Sequence, residues 1–582
     1  MNVLSKAANA VLLHAGSALG ACFRVDYINK AHHGRRFSEK ALMKIVKANR
    51  DTEYGKKYGF ADIHSVEDYQ RAVPLSDYDD YRPYVNRMVK NGEKKLLTAR
   101  RIGYFATTSG TTGETKLIPE IVSSYTPFFK MVCLLVNDVT TAMRETGVPG
   151  ISARGLLTTE VHIKPMEKSG MGGHGRSRVG AISSYAAGGM KLFLPIFTPF
   201  PKEAFDDEIR DLRYVKARYA LQDPGLKWFG GPFMSALSDI MCYIEGNLDM
   251  LLHDIETGTI DSSVEMGEAV RKKLEARLRP DPKRAAELRE IFAQPSDAGL
   301  ISKIWKNMCY VAAIGAGDFA PFTKKMRAWC GDRVRFAFAV YAASEALFGY
   351  AMRMGDPSYL LLMDGNFYEF LPVEDSRADR ERPLQMHELE VGKKYEIVVT
   401  NRSGLYRYCI RDVVKVVGFE GETPYLEFAY RANRVTDLCG SHITDEFIAA
   451  AVEAVEQEMG FRIEDYSLYA DSEHIPPRVV MFMEPERPVD EGERLRMRDA
   501  FEAGLIRASR GYRLAREAEN LCVCELHAVE KGTYMRYRRK KIAAGASENQ
   551  LKSIRVIKPG EELAFFLAAV AEPAVTIPEE ES

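Results

Sequence analysis

One segment of the chain has the composition of a loop that binds phosphate groups. Residues 107–116, TTSGTTGETK, directly follow the strand-like run RIGYFA. Glycines permit the dihedral angles and the close approach that such a loop needs, and its backbone N–H groups and hydroxyls are donors that suit a polyphosphate. Lys116 adds a positive charge, although the Walker pattern G-x-x-x-x-G-K-[ST] is absent. Composition alone leaves an ordinary Ser/Thr/Gly turn as the alternative.

Two later segments carry carboxylates in places that suit a nucleotide. Residues 341–345, YAASE, end a strand-like run, where a carboxylate suits a hard cation such as magnesium bound to phosphate. Residues 404–412, GLYRYCIRD, end in an aspartate, which can accept two hydrogen bonds from the vicinal hydroxyls of a ribose. Taken alone, the Ser-Glu pair more often indicates the start of a helix, and the Arg-Asp pair a surface salt bridge.

The composition restricts the partners of the protein. Of 582 residues, 80 are lysine or arginine and 81 are aspartate or glutamate, so the net charge of -1 gives no support to nucleic acid or an anionic membrane as a partner. The basic run 536–541 is therefore interpreted as a solvated helix face. Residues 7–22 are too few for a membrane span, which needs about 20 apolar residues, and predict an N-terminal helix. The nine cysteines without C-x-x-C spacing indicate free thiols in a reducing cytoplasm.

Alternating helix and strand patterns must position these segments. Strands are predicted at 101–109, 225–231 and 334–344, and amphipathic or buried helices at 36–50, 127–145 and 232–256. This alternation predicts an α/β fold in which β-sheets are flanked by helices. From residue 367 onward, short strand-like runs joined by charged turns predict a meander or a small β-barrel-like part.

A second domain follows a change of pattern near Tyr430–Gly440. Thr444 is a predicted N-cap, and the helix after it ends at Gly460. Strand-like runs and a charged helix at 490–509 then predict a smaller α+β domain with its own core. The predicted organisation is a large domain at 1–430, a hinge at 431–440, a smaller α+β domain at 441–570 and a disordered acidic tail at 571–582.

In order and content, the three segments resemble the core motifs of the adenylate-forming superfamily of acyl-CoA synthetases and luciferases. Residues 107–116 resemble its phosphate loop, [ST]-S-G-T-T-G-x-P-K, and residues 341–345 its second motif, Y-G-x-[ST]-E. The chain as a whole resembles the auxin-responsive acyl acid amido synthetases of the Gretchen Hagen family. The supporting stretches span most of the chain, namely NRDTEYGKKYGF (49–60), ATTSGTTGETKLIP (106–119), LLHDIETGTI (251–260), VYAASEALFG (340–349), FYEFLP (367–372), GLYRYCIRDVVKVVGF (404–419) and GASENQLK (545–552).

The resemblance implies a role for each motif residue. The large domain would be an adenylation domain that binds ATP and the acyl acid, and the small domain would rotate between two half-reactions. Glu345 would bind Mg²⁺, Asp412 the ribose, and Lys552 the α-phosphate as the charge at phosphorus develops. Glu345 and Lys552 would be the catalytic residues. The implied residues for ATP or AMP are Ser109, Gly110, Thr111, Thr112, Lys116, Tyr341, Ala342, Ala343, Ser344, Glu345, Asp412 and Lys552.

Some positions depart from the family pattern. Thr115 stands where the superfamily has proline, which has no N–H to contribute, and Arg411 stands where the family has glycine before the ribose aspartate. Residues 168–190 contain seven glycines and resemble the family loosely, so they are interpreted either as a surface loop or as a mobile flap over a pocket. His174 and His442 are candidates for a general base only through their positions near this flap and the hinge.

The predicted function is an ATP-dependent acyl acid amido synthetase. It would convert a small carboxylic acid to an acyl-adenylate with release of pyrophosphate and then pass the acyl group to an amine, with an amino acid favoured. Two alternatives stay open: a ligase that uses coenzyme A or another thiol, and a nucleotide- or acyl-binding protein without turnover. The sequence does not reveal the acid, the amine or the oligomeric state.

Overall fold

The computed structural model describes residues 3–571 except 109–115, 122–124, 160–163, 166–177, 181, 183–192, 206–207, 210, 295–297, 317–318, 364, 374–382, 432–437, 439–440, 442 and 544–552. Contacts within the chain define two compact units. The first contains residues 1–410 and 414–428, and the second contains 411–413 and 429–582. No helix in the described residues has the length and hydropathy required to cross a membrane.

The first unit contains most of the secondary structure. Its α-helices are α1 Val3–Ala31, α2 Gly34–Asn49, α3 Glu53–Lys57, α4 Val66–Ala72, α5 Tyr78–Asn91, α6 Tyr125–Glu145, α7 Leu194–Phe197, α8 Leu212–Gln222, α9 Met234–Gly246, α10 Leu248–Thr257, α11 Glu268–Glu275, α12 Pro282–Phe292, α13 Leu300–Ile304 and α14 Ala320–Cys330. Its strands are β1 Ile102–Thr108, β2 Lys116–Ile121, β3 Gly155–Leu157, β4 Lys164–Pro165, β5 Arg178–Gly180, β6 Trp228–Phe233, β7 Tyr310–Ile314, β8 Arg335–Ala337, β9 Val340–Ala342, β10 Leu347–Tyr350, β11 Tyr359–Leu361, β12 Phe367–Pro372, β13 Lys394–Thr400, β14 Tyr408–Glu420 and β15 Thr423–Arg431. Within the last two strands, residues 411–413 and 429–431 are assigned to the second unit.

These strands form three sheets. Two have four strands each, in the orders β2-β1-β5-β4 and β3-β6-β7-β8, and the third has seven, in the order β12-β13-β14-β15-β11-β10-β9. The β3-β6-β7-β8 sheet is parallel throughout, and its buried residues share a core with helices α8–α14. Such a sheet requires cover by helices, which explains the apolar sequence of its strands. The predicted α/β class with helix-flanked sheets is confirmed.

The second unit is a smaller α+β body. Its α-helices are α15 Asp445–Met459, α16 Glu491–Ala508, α17 Arg510–Glu517, α18 Thr533–Ala543 and α19 Glu561–Leu567, and its strands are β16 Ile463–Asp471, β17 Arg478–Pro485 and β18 Glu525–Ala528. The strands form one sheet in the order β16-β17-β18. The hydroxyl of Thr444 accepts a hydrogen bond from the N–H of Phe447, and Gly460 adopts φ = 70°, so both predicted ends of α15 are confirmed.

Two predicted elements are wrong in their continuity. The single helix predicted at 232–256 is two helices, because Asn247, with φ = −132° and ψ = 26°, ends α9 before α10 begins. The single strand predicted at 334–344 is interrupted between β8 and β9, where Ala339 adopts the left-handed conformation with φ = 40°. A residue in the left-handed conformation cannot continue a β-strand, and an alanine in the sequence does not indicate that conformation.

Candidate nucleotide-binding site

Strands β1 and β2 hold the two ends of the predicted phosphate loop. They pair as an antiparallel hairpin in which Thr108 lies opposite Lys116 and Thr107 opposite Leu117. The predicted phosphate ligands Ser109, Gly110, Thr111 and Thr112 lie between these ends and outside the described residues, as does Thr115. The hairpin register therefore fixes where the loop leaves and rejoins the sheet.

Tyr78 at the start of α5 anchors the strand that leaves this loop. Its buried hydroxyl accepts a hydrogen bond from the N–H of Leu117 at 2.8 Å and lies 3.3 Å from the carbonyl oxygen of the same residue. The ammonium group of Lys116 lies 5.5 Å from the centroid of the Tyr78 ring, within range of a cation–π interaction. The Tyr78 side chain thus contacts the backbone of Leu117 and the ammonium group of Lys116, the first two residues after the loop.

The second motif forms the turn of another hairpin. Tyr341 lies in β9, and the N–H of Ala343 donates to the carbonyl oxygen of Ala346 at 2.9 Å where the chain turns into β10. The Ser344–Glu345 pair is therefore in a β-turn and not at the start of a helix. Ala342, Ala343, Ser344 and Glu345 are half-buried, which leaves part of the turn accessible to a ligand.

The ring of Tyr341 is buried, unlike the half-buried residues 342–345 of the turn. It is only 7% exposed and packs against Phe348, Tyr359 and Phe428, with ring centroids 4.9, 5.8 and 6.1 Å away. This aromatic cluster fixes β9 on the seven-stranded sheet. The ring thus contributes to the core as well as to the edge of the predicted nucleotide site.

Asn401 joins the third motif to the second. Its side-chain oxygen accepts hydrogen bonds from the N–H groups of Ser403, Gly404 and Leu405 at 2.9, 3.0 and 3.0 Å. Its amide nitrogen donates to the backbone carbonyl of Glu345 at 2.8 Å. Asn401 is 3% exposed, so the three bonds to its side-chain oxygen are shielded from water, and the bond to Glu345 is partly shielded.

The same turn is connected to the strand that follows the phosphate loop. The hydroxyl of Ser403 lies 3.3 Å from a carboxylate oxygen of Glu120, which is buried on β2. A chain of hydrogen bonds consequently runs from β2 through Ser403 and Asn401 to the turn at Glu345. The structure thereby brings the flank of the first motif, the second motif and the start of the third together within the first unit.

Buried side chains fix the rest of residues 404–408. Gly404 adopts φ = 110°, and a Cβ at this position would lie 2.6 Å from that of Leu97. Burial raises the pKa of the Tyr406 phenol well above its usual value, so the group stays neutral and donates to the carbonyl of Leu97 at 2.5 Å. Arg407 is buried and pairs with Glu369 at 3.0 Å.

Asp412 is described as part of the second unit. It is buried on β14, and its Oδ1 accepts a hydrogen bond from Nε of Arg431 at 2.7 Å. The residue before it, Arg411, adopts the left-handed conformation with φ = 66°. That conformation favours glycine, the residue that the family has at this position.

Lys552 lies outside the described residues, but the segment that follows it is held firmly. Arg555 is buried, and its Nη1 donates to Oδ1 of Asp465 at 2.5 Å and to the carbonyl of Tyr466 at 2.6 Å. The hydroxyl of Ser553 donates to Oδ2 of Asp465 at 3.1 Å. The hydroxyl of Ser467 donates to the carbonyl of Ile554 at 2.6 Å, so β16 carries the segment that begins directly after Lys552.

Sequence reasoning missed Asn401, Ser403 and Asp465. An asparagine two residues before a Ser-Gly pair is a signal for a turn in which the side chain bonds the backbone. Nothing in the sequence around Asp465 indicates that its partner lies 90 residues later. Both candidate histidines, His174 and His442, lie outside the described residues, as does the 168–190 segment except for 178–180 and Ile182.

No group of three or more His, Cys, Asp or Glu side chains that could hold a metal ion occurs among the described residues. A magnesium site at Glu345 does not require such a group. This ion is usually bound by one or two protein carboxylates together with phosphates and water.

Comparisons with known proteins identify the family of the chain. The models of the GH3 family N-terminal, central and C-terminal domains match residues 28–335, 359–431 and 446–561. The indole-3-acetic acid-amido synthetase GH3.3 of Arabidopsis thaliana is 26% identical over 555 residues, which cover 92% of this chain and 89% of that protein. The indole-3-acetic acid-amido synthetase GH3.8 of Oryza sativa subsp. indica is 27% identical over 543 residues, covering 89% and 87%.

A solved structure shows the same fold. The acyl acid amido synthetase AtGH3.15 in complex with 2,4-DB superposes with a TM-score of 0.82 at 20% sequence identity, covering 94% of this chain and 96% of that one. The resemblance predicted from the motifs is confirmed along nearly the whole length. The chain belongs to the GH3 family.

Proposed function

We propose that this chain is an ATP-dependent acyl acid amido synthetase that activates a small carboxylic acid as its acyl-adenylate and transfers the acyl group to an amino acid. Family membership and the match to amido synthetases over most of the chain support a ligase that forms amide bonds. The observation that carries the proposal is the hydrogen-bonded chain from Glu120 through Ser403 and Asn401 to Glu345. It connects the strand after the first predicted motif, the turn of the second and the start of the third within the first unit.

In the first half-reaction, an oxygen of the acid attacks the α-phosphorus of ATP in line, and pyrophosphate leaves. Ser109, Gly110, Thr111 and Thr112 of the loop and the charge of Lys116 hold the β- and γ-phosphates. Asp412 binds the ribose, and Lys552 stabilises the negative charge that develops at the α-phosphate. Glu345 would hold a magnesium ion, which neutralises phosphate charge when it is bound.

In the second half-reaction, the amine attacks the acyl carbonyl and AMP leaves. Activation is necessary because a free carboxylate would have to expel oxide, whereas the adenylate expels AMP. We place the rotation that separates the half-reactions at the predicted hinge, 431–440. We also place the protein in the cytoplasm, since every cysteine among the described residues is free.

The acid and the amine are identified by a panel. Purified protein, ATP and Mg²⁺ are incubated with aryl, indole and fatty acids, each with and without mixed amino acids. Indole-3-acetic acid and 2,4-DB come first, because the relatives are named for them or bind them. We expect pyrophosphate release that requires an acid, and an amide detected by mass spectrometry only when amino acids are present.

Each alternative gives a different result. A thioester formed with coenzyme A, and no amide with any amine, would identify a thiol ligase. Nucleotide binding without pyrophosphate release with any acid would identify a binding protein. The Lys552→Ala variant should lose adenylation while keeping its melting temperature, and the matched control Lys531→Ala, which changes an exposed lysine of the same unit, should keep its activity.

A further inference from the structure

Asp412 and Arg431 form an ion pair across two neighbouring strands. They lie at equal distances in sequence from the two-residue turn 421–422 that joins β14 to β15, and residues placed in this way are cross-strand neighbours. Nε of Arg431 donates to Oδ1 of Asp412 at 2.7 Å. The side chain of Asp412 is 5% exposed and that of Arg431 is 30% exposed. Both residues belong to the second unit, so the pair lies within one body.

The backbone also directs the side chain of Asp412. The residue before it, Arg411, adopts φ = 66° inside β14. A single left-handed residue within a strand is typical of a β-bulge, and a bulge changes the direction of the side chain beside it. The backbone at Arg411 and the ion pair with Arg431 therefore act together on the orientation of one carboxylate.

A ribose does not supply the charge that a buried carboxylate needs. The hydroxyls of a ribose are neutral donors, whereas an aspartate that is removed from water is costly unless a cation is paired with it. Arg431 provides that cation. A carboxylate has about four acceptor sites, so the bond from Nε of Arg431 does not exhaust them. The guanidinium and a ribose can therefore be bound to Asp412 at the same time.

We propose that Arg431 is a positioning residue for the ribose site. It holds the Asp412 carboxylate in the orientation in which this group accepts hydrogen bonds from the ribose hydroxyls of ATP. This inference rests on the proposed function, in which Asp412 binds the ribose. Arg431 acts through Asp412, and the pair selects a ribonucleotide over a deoxyribonucleotide. The sequence alone placed Arg431 only at the start of the predicted hinge, 431–440.

Discrimination between ATP and 2′-deoxy-ATP in pyrophosphate release tests the proposal. In the wild type, the KM for 2′-deoxy-ATP should exceed that for ATP by about tenfold or more, the effect of one hydrogen bond to a charged group. Asp412→Asn should bring the two KM values together. Arg431→Gln removes the cation, and it should lower the ratio of the two KM values by about three- to tenfold. Arg431→Lys keeps the charge without the planar fork, so it should lower the ratio less, and it provides the test if the glutamine variant does not fold.

The matched control is Arg478→Gln. Arg478 is also 30% exposed, and its Nε donates to a carboxylate oxygen of Asp471 at 2.9 Å in the same unit. This variant should leave both KM values unchanged. If Arg431→Gln raises both KM values equally, Arg431 has no separate effect on the ribose and the proposal is wrong. A lower KM for ATP in Arg431→Gln would also overturn it, because Arg431 would then compete with the ribose for Asp412.

A binding measurement separates this inference from the proposed function. Isothermal titration calorimetry gives the Kd of ATP and of 2′-deoxy-ATP for the same variants without turnover. If the wild type releases no pyrophosphate with any acid, the proposed function fails, and the ratio of the two Kd values still tests Arg431. A wild type that releases pyrophosphate but uses both nucleotides equally well would retain the amido synthetase and overturn the role of Arg431.

Discussion

The two units hold their candidate catalytic groups by different interactions. In the first unit, the neutral amide of Asn401 connects the turn at Glu345 to the loop that starts the third motif. In the second unit, a buried ion pair between Asp465 and Arg555 holds the segment that begins directly after Lys552. The side chains of this pair are 10% and 2% exposed, so water contributes little to either charge.

The two kinds of interaction differ in the free energy that is lost when a substitution removes one partner. Loss of one neutral hydrogen bond leaves the other bonds of an amide in place, and the net cost of each is about 1 kcal/mol. Loss of one partner of a buried ion pair leaves a bare charge, at a cost of about 3–5 kcal/mol. The segment after Lys552 therefore contains one interaction that is costly to break, the buried ion pair, in addition to the bonds of Ser553 and Ile554, whereas the turn at Glu345 is held by neutral bonds that each cost less to lose.

The largest effect is expected for Arg555→Ala. It leaves Asp465 buried without its guanidinium, and we expect the free energy of unfolding of the second unit to fall by about 3–5 kcal/mol. Urea denaturation followed by circular dichroism measures this change. The control Arg462→Ala breaks a pair with Glu486 whose side chains are 45% and 32% exposed, and should cost less than about 1 kcal/mol.

A double variant sharpens the same test. Asp465→Ala together with Arg555→Ala removes both charges, so it should be more stable than either single variant. If the double variant is as unstable as the sum of the two single ones, the pair is not coupled, and the proposed contrast between the units fails.

The next effect is expected for Asn401. Asn401→Ala leaves three buried N–H groups without their acceptor, and we expect a loss of about 2–3 kcal/mol in stability together with weaker binding of ATP. Asn401→Asp keeps that acceptor but places a carboxylate against the carbonyl of Glu345. It should therefore retain more stability than Asn401→Ala while still raising the KM for ATP.

Equilibrium unfolding and pyrophosphate release measure the two quantities separately. The control Asn247→Ala removes a half-buried amide with a single hydrogen bond, to the carbonyl of Tyr243, and should leave the KM unchanged. Equal stability and equal KM in the alanine and aspartate variants would show that the bond to Glu345 has no separate role.

The sequence predicted elements better than the contacts between them. The helix at 36–50 and the start of α15 at Thr444 could be predicted because periodicity and an N-cap are local signals. The break at Ala339 could not, because tertiary packing imposes a positive φ on a residue that normally avoids it. Site residues that lie in a family motif could be proposed from the sequence. Asn401 and Asp465 could not, because their partners Glu345 and Arg555 are 56 and 90 residues away in the chain.

A smaller effect is expected at the strand after the phosphate loop. Tyr78→Phe keeps the ring near Lys116 but removes the hydroxyl that accepts a hydrogen bond from the N–H of Leu117. We therefore expect the free energy of unfolding, measured by urea denaturation, to fall by about 1 kcal/mol. Tyr78→Leu removes the ring as well and should raise the KM for ATP further. If the two variants have the same KM, the contact between the ring and Lys116 does not contribute to nucleotide binding.

The smallest effect, and the one with the opposite sign, is expected for Arg411→Gly. A non-glycine residue in the left-handed region costs about 1–2 kcal/mol, and the entropy that glycine loses on folding offsets about 0.5–1 kcal/mol of that gain. We therefore expect the variant to be more stable than wild type by up to about 1 kcal/mol in urea denaturation. The control Lys415→Gly, on an exposed position of the same strand, should destabilise. A less stable Arg411→Gly variant would mean that contacts of the Arg411 side chain stabilise the protein by more than its backbone strain costs. The second unit would then depend on the side chain of Arg411 as well as on that of Arg555.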